Sequence, residues 1–161
     1  MKQKKFLTLY AVLDEATQEK LTQLQNEIIK HYPKGTQTMG IPFHISLGSF
    51  PVDKKEELLK RLSSYSANSF SLQLTKLNHF DKHVLFAEPT MPASLVRLHH
   101  DFEGNYSDGF DWCPHVTLYC GTEEEVEALL HQLKFQPMKT SVVGLELGEF
   151  FPPLILWNTT F

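Results

Sequence analysis

The chain has 161 residues, a length that suits one domain or two small lobes sharing a core, and its 42% hydrophobic content suffices for a packed interior. No segment approaches the roughly 18 consecutive apolar residues of a membrane span. The net charge is −4, and its 15 basic residues are dispersed rather than gathered into the patch that grips long nucleic acid, so a short nucleotide or an RNA end is the more natural partner.

The basic start, MKQKKF, leads into a short apolar run from Phe6 to Leu13, broken by Thr8 and Tyr10. A secretory signal needs a longer stretch and a small-residue cleavage site, so a cytoplasmic location is expected. Residues 5–12 read as a strand, with Phe6, Thr8, Tyr10 and Val12 on one face and Leu7, Leu9 and Ala11 on the other. Asp14 is placed to cap a helix whose apolar stripe is Leu21, Leu24, Ile28 and Ile29, and which Tyr32-Pro33-Lys34-Gly35 stops. A loop to Ile41-Pro42 precedes the strand containing Phe43-His44-Ile45-Ser46-Leu47. After Phe50-Pro51, Asp53 and Glu56 form a D-x-x-E capping pair for a helix turning Leu58, Leu59, Leu62 and Tyr65 inward. Residues 70–77 and 83–87 read as strands joined through 78–82, a helix runs from Pro92 to about Phe102, and Gly104 to Asp111 is a polar loop. Pro114-His115-Val116-Thr117-Leu118 begins a strand reaching residue 120. Thr122 and Glu125 make a second capping box, ahead of a helix with Val126, Leu129, Leu130 and Leu133 inward, and strands near 140–149 and 154–160 complete the chain.

Two stretches echo each other. His44-Ile45-Ser46-Leu47 and His115-Val116-Thr117-Leu118 share the order histidine, aliphatic, hydroxyl, leucine. The helices after them match in their leucines: Leu58 with Leu129, Leu59 with Leu130, Leu62 with Leu133. One residue of slip further on, Leu77 falls on Leu147 and Phe80 on Phe150. This is an internal duplication. Alternation in a strand puts His44 and Ser46 on one face, opposite Ile45 and Leu47, and does the same for His115 and Thr117. If the halves pack with like faces together, two imidazole–hydroxyl pairs meet in one cleft. Two imidazoles can divide proton duties as general base and general acid, and the hydroxyls can donate to phosphate oxygens. That is a phosphoester site without a metal.

The paired motifs, with P-H-V-T-L at residues 114–118, resemble the His-x-Ser/Thr motifs of the two-histidine (2H) phosphoesterase superfamily. The likeness is nearest to the 2′-5′ RNA ligase and RNA cyclic phosphodiesterase branch, and KKFLTLYAVLDEATQEKLTQL resembles that family's opening strand and helix. The resemblance implies catalysis by His44, His115, Ser46 and Thr117 without a cofactor. It also implies hydrolysis of 2′,3′-cyclic phosphates or 2′-5′ linkages in RNA-derived nucleotides, with ligation as the reverse reaction. Many family members carry a basic residue just after the second motif's leucine, where this chain has Tyr119-Cys120, so Arg97, Lys82 or backbone N–H groups are left to meet the phosphate charge. Rival readings are a cyclic phosphodiesterase for ADP-ribose cyclic phosphate, a non-catalytic module for RNA ends, and a metallohydrolase.

Continued alternation brings Tyr119 onto the His115 face, a candidate platform for a base, with Gly48 in the matching place; Tyr10, Phe50 and Trp157 are weaker candidates. His79 and His83 fall in a turn, and His31, His99, His100 and His131 near helix ends, where a cationic side chain suits the dipole; none is assigned to catalysis or metal. Cys113 and Cys120 flank the second motif more than about 20 Å apart in an extended strand, so reduced thiols are expected. The whole chain, 1–161, is expected to form one monomeric bilobal domain. Its fold class is α+β, with two pseudo-symmetric lobes of antiparallel sheet, outer helices and an active-site cleft between them.

Overall fold

The structure is a computed structural model that describes residues 4–33, 41–103, 112–150 and 153–161. The expected loop from Gly104 to Asp111, and Lys34-Gly35 of the first helix stop, lie outside the described residues.

Strand β1, Phe6–Leu13, buries Leu7, Leu9, Ala11 and Leu13 in the main core and turns Thr8, Tyr10 and Val12 to the opposite face. Asp14 ends it: one carboxylate oxygen accepts from the Thr17 N–H at 2.8 Å and opens helix α1, Glu15–His31. The other accepts from the Ser141 N–H at 3.0 Å, which ties the helix start to a distant strand. Strand β2, His44–Pro51, is followed by a 3-10 turn, Val52–Lys54, and helix α2, Lys55–Ser63. The capping pair expected from Asp53 and Glu56 does not form, because the 3-10 turn absorbs Asp53 and leaves Lys54 at the helix N-cap without a side-chain bond.

Strand β3, Phe70–Phe80, runs through residues that read as a link, and strand β4, Val84–Pro89, follows. The reversal is confined to Asp81 and Lys82, both at positive φ (46° and 62°), and to His83. Helix α3, Ala93–Glu103, leads to strand β5, Val116–Cys120. Helix α4, Glu123–Gln132, carries the full capping box, with the Thr122 and Glu125 side chains each bonded to the other's backbone N–H. Strands β6, Met138–Phe150, and β7, Leu154–Thr160, complete the order.

The seven strands form one sheet in the order β2-β1-β6-β3-β4-β5, with β7 on β6. All pairings are antiparallel. Taking β1-α1-β2-α2-β3 as one repeat and β4-α3-β5-α4-β6 as the other, the order is a palindrome about the β6–β3 junction. Each repeat's third strand lies beside the other repeat's first strand. The two expected half-sheets are therefore continuous, and the fold is α+β. Phe80 pairs with Val84 as Gly148 pairs with Thr8, so Gly148 takes the backbone place that sequence alignment gives to Phe150. The Phe150 ring compensates by leaning over Gly148, where an added Cβ would meet it at 3.2 Å.

Candidate active site

The two motif strands occupy opposite ends of the sheet, yet β2 and β5 approach each other. On the helix-covered face, Ile45, Leu47, Val116 and Leu118 join the main core. On the other face, here the motif face, His44, Ser46, His115 and Thr117 are all half-buried. Tyr10, Phe86 and Phe150 are buried but stand outside the main cluster, and they floor this second face.

The two histidines are held alike. His44 Nδ1 bonds the Pro42 carbonyl at 2.8 Å and His115 Nδ1 bonds the Cys113 carbonyl at 2.8 Å, in both cases two residues back along the chain. A carbonyl only accepts, so each neutral ring carries its proton on Nδ1 and keeps Nε2 as the free lone pair. The floor differs beneath them. Tyr10 lies 4.3 Å from the His44 ring centroid and donates its hydroxyl to Glu146 at 2.7 Å, whereas Phe80 and Phe86 meet His115 edge-on at 4.5 and 5.5 Å. Burial pushes the pKa of His44 down, the Pro42 bond partly opposes this, and the charge of His115 lowers it further. Burial likewise pushes His115 down against the Cys113 bond. Among the described residues, neither the Ser46 nor the Thr117 hydroxyl has a hydrogen-bond partner.

The ladders show why alternation misplaces the aromatic platform. Tyr10 pairs with Ser46 but Leu9 with Gly48, leaving Leu47 as an extra residue; Phe86 pairs with Thr117 but Leu85 with Tyr119, leaving Leu118 extra. Both motif strands thus carry a β-bulge at their leucine, which puts consecutive side chains on one side. Gly48 and Tyr119 turn to the helix face, and Ser49 and Cys120 take the motif-face positions. Tyr119 is fully buried, its ring 6.1 Å from Tyr32 and its hydroxyl bonded to Glu125, so it is a core residue and no base platform. Phe50 pairs with Leu7 on the helix side and is buried, which removes it as well. Tyr10 does reach the motif face, but at 0% exposure it supports His44 rather than a ligand. Trp157 pairs with Leu147 and packs on the main core.

Neither cation named for the phosphate stands beside the motifs. Lys82 pairs with Glu123 at 3.0 Å at the head of α4, and Arg97 is exposed on α3, where its charge acts on Tyr65. Among the described residues no three His, Cys, Asp or Glu side chains form a group able to hold a metal ion. Neither Cys113 nor Cys120 is in a disulfide among the described residues, and no described helix is long and apolar enough to cross a membrane.

Sequence reasoning missed three residues at the seam between β2 and β5. Trp112 donates Nε1–H to the Ser46 carbonyl at 2.9 Å, His99 bonds the Leu47 carbonyl through Nδ1 at 2.7 Å, and their rings stack at 3.9 Å and 7°. Gln25 donates to the Leu118 carbonyl at 2.9 Å. The signal for them lies in no local pattern, because each partner is remote in sequence.

A model of the 2′-5′ RNA ligase superfamily matches residues 50–150. Among solved structures, Escherichia coli LigT superposes with TM-score 0.67 at 15% identity, covering 99% of both chains. TT0787 of Thermus thermophilus gives 0.65 at 17% identity over 96% of this chain and 97% of that one. Usb1 of Kluyveromyces marxianus gives 0.50 at 12% over 98% and 99%. LigT has been solved with 3′-AMP, NADP+, phosphate and ATP. No curated protein sequence matches the chain.

Both imidazoles titrate below their ordinary value of 6.5 in the folded protein. The unfolded chain therefore binds more protons just below that pH, and stability must fall as pH drops from about 6.5 toward the folded values. Above it these groups contribute no pH dependence. Urea unfolding of the wild type and of a His44→Gln/His115→Gln variant on both sides of this window should show a shallower acid loss in the variant; equal slopes would exclude these residues as its source.

Proposed function

The chain belongs to the 2′-5′ RNA ligase superfamily, within the 2H phosphoesterases, and from that premise we propose that it is a metal-independent phosphodiesterase for 2′,3′-cyclic phosphates or 2′-5′ linkages of RNA-derived nucleotides. The observation that carries the reading is the matched pair of imidazoles. Each is fixed by a carbonyl two residues upstream, with Nε2 unprotonated and a hydroxyl lacking a described partner on the same face. The nucleotides seen on Escherichia coli LigT belong to the same chemical class.

In the proposed hydrolysis one imidazole takes a proton from water as its oxygen bonds to phosphorus. The other, protonated, delivers its proton to the ribose oxygen as that P–O bond breaks. Ser46 and Thr117 donate to the non-bridging oxygens where charge accumulates. With a ribose 5′-hydroxyl in place of water attacking a 2′,3′-cyclic phosphate, the same roles form a 2′-5′ linkage as the P–O bond to the 3′ oxygen breaks and that oxygen takes the proton.

His44→Ala and His115→Ala should each reduce turnover by about 10²–10⁴-fold with folding preserved. Thr117→Val should cost up to about 10²-fold and Thr117→Ser little, since Ser46 holds the equivalent place. The assay is a panel of cyclic phosphates, including ADP-ribose cyclic phosphate, and of 2′-5′ and 3′-5′ dinucleotides, run with EDTA. Near-wild-type turnover in either histidine variant would end the two-histidine mechanism. Sensitivity to chelator would favour a metallohydrolase, and binding without turnover a recognition module.

The kcat/KM profile should be bell-shaped, because one imidazole must be neutral and the other charged. With both groups pushed down from 6.5 in the free protein, the maximum should fall on the acid side of that value. A rate rising steadily from about pH 5 to 9 would contradict the acid–base pairing.

With Tyr119 and Phe50 in the core, Phe80 is the aromatic we assign to base contact. It lies on the motif face, half-exposed, with its ring against His115. Phe80→Ala should raise KM by roughly ten- to a hundredfold, the scale of one base–aromatic stack. Loss confined to kcat would make Phe80 a support for His115 instead.

A further inference from the structure

The stacked pair His99–Trp112 stands outside the four motif residues, yet it grips two consecutive carbonyls of the first motif, those of Ser46 and Leu47. Both rings come from the second repeat. Trp112 is directly followed by Cys113, whose carbonyl orients His115. A continuous path therefore runs from the Ser46 backbone through the Trp112 indole to the carbonyl that aims the second histidine. On the opposite strand the pattern is mirrored. Gln25, on a helix of the first repeat, donates to the carbonyl of Leu118, the residue equivalent to Leu47. Each bulge leucine is held by a helix side chain of the other repeat.

We propose that the His99–Trp112 stack is a positioning clasp that fixes the separation and tilt of the two His-x-Ser/Thr strands, with Gln25 as its counterpart on the second strand. The leucine bulges are where a strand is most free to bend, since the extra residue is unpaired in the ladder. A donor locked onto that carbonyl sets where the neighbouring hydroxyl and histidine point. Rings stacked nearly parallel leave the donors little rotational freedom. Both rings bond backbone carbonyls and not the motif side chains, so the pair acts through Ser46, His44 and His115, and the proposal rests on the phosphodiesterase reading given above.

The test compares His99→Ala, His99→Phe, His99→Gln and Trp112→Phe with the wild type and His44→Ala. All are assayed on the best substrate of the panel at a temperature where thermal melts show every variant folded. Displacing catalytic groups by a fraction of an ångström to an ångström lowers kcat steeply while leaving binding largely intact. His99→Ala and His99→Phe should therefore lose about ten- to a hundredfold in kcat with KM changed by less than about threefold. His99→Gln should recover most of the rate, because glutamine already makes this bond at Leu118. In a Trp157→Phe background, the emission of Trp112 should shift in His99→Ala, which reports the lost stack independently of activity. Wild-type kcat in folded His99→Ala and His99→Phe, an effect on KM alone, or no recovery with glutamine would each overturn the clasp. A wild type that turns over nothing on the panel would instead remove the phosphodiesterase reading, and the clasp's catalytic role with it.

Discussion

A strand at the end of a sheet leaves a row of backbone groups without a ladder partner, and in this protein both end strands carry the residues proposed to do the chemistry. β2 and β5 close the path β2-β1-β6-β3-β4-β5 and then lie against each other. Their edge carbonyls at Ser46, Leu47 and Leu118 are taken by Trp112, His99 and Gln25. An unpaired buried carbonyl costs about 1–3 kcal/mol, so these donors have a reason to be present whatever the function. In the clasp proposed above, the same bonds set how far apart the two histidines stand. Edge protection and site construction are therefore one arrangement.

The palindromic strand order makes that arrangement depend on both repeats. β1 of the first repeat pairs along its whole length with β6 of the second, and β3 of the first pairs with β4 of the second. Neither repeat owns a complete sheet, and neither motif owns its own edge donors. On the proposed reading, duplication of a single imidazole–hydroxyl unit yields a two-imidazole site only because the repeats exchange strands.

Local pattern carried much of this. HISL, HVTL, the alternation of β1 and the Thr122–Glu125 box are each patterns of a few residues, and the fold class follows from matching elements far apart with helices after strands in each half. The bulges did not show. Nothing in HISLGS or HVTLYC distinguishes an extra residue from an ordinary strand position, because a bulge is a property of register against the partner strand. Alternation consequently reads Tyr119 onto the wrong face, and Phe50, a weaker candidate for base contact, packs in the core instead. His99 reads as a cationic side chain suited to a helix end, but it lies inside α3, half-buried, with a partner 52 residues away, and the partner of Gln25 lies 93 away. No window along the chain contains either bond.

The repeats are symmetric in backbone and asymmetric in what surrounds each imidazole. His44 rests on a phenol bonded to the Glu146 carboxylate, which raises the Tyr10 pKa further beyond the effect of burial and keeps that hydroxyl protonated. His115 rests on two hydrocarbon rings. Both are neutral near pH 7 without ligand, since burial disfavours the charged form and His115 opposes charge on His44. General acid catalysis needs one imidazolium. On the reading proposed here the substrate supplies the missing influence, because a phosphodiester seated between the rings is an anion that favours a proton on one of them. The second imidazole, held neutral by the charge on the first, is then available as the base. Division of roles between two nearly equivalent histidines thereby follows from the arrival of the anion, with the unequal floors beneath the rings left to decide which one takes the proton.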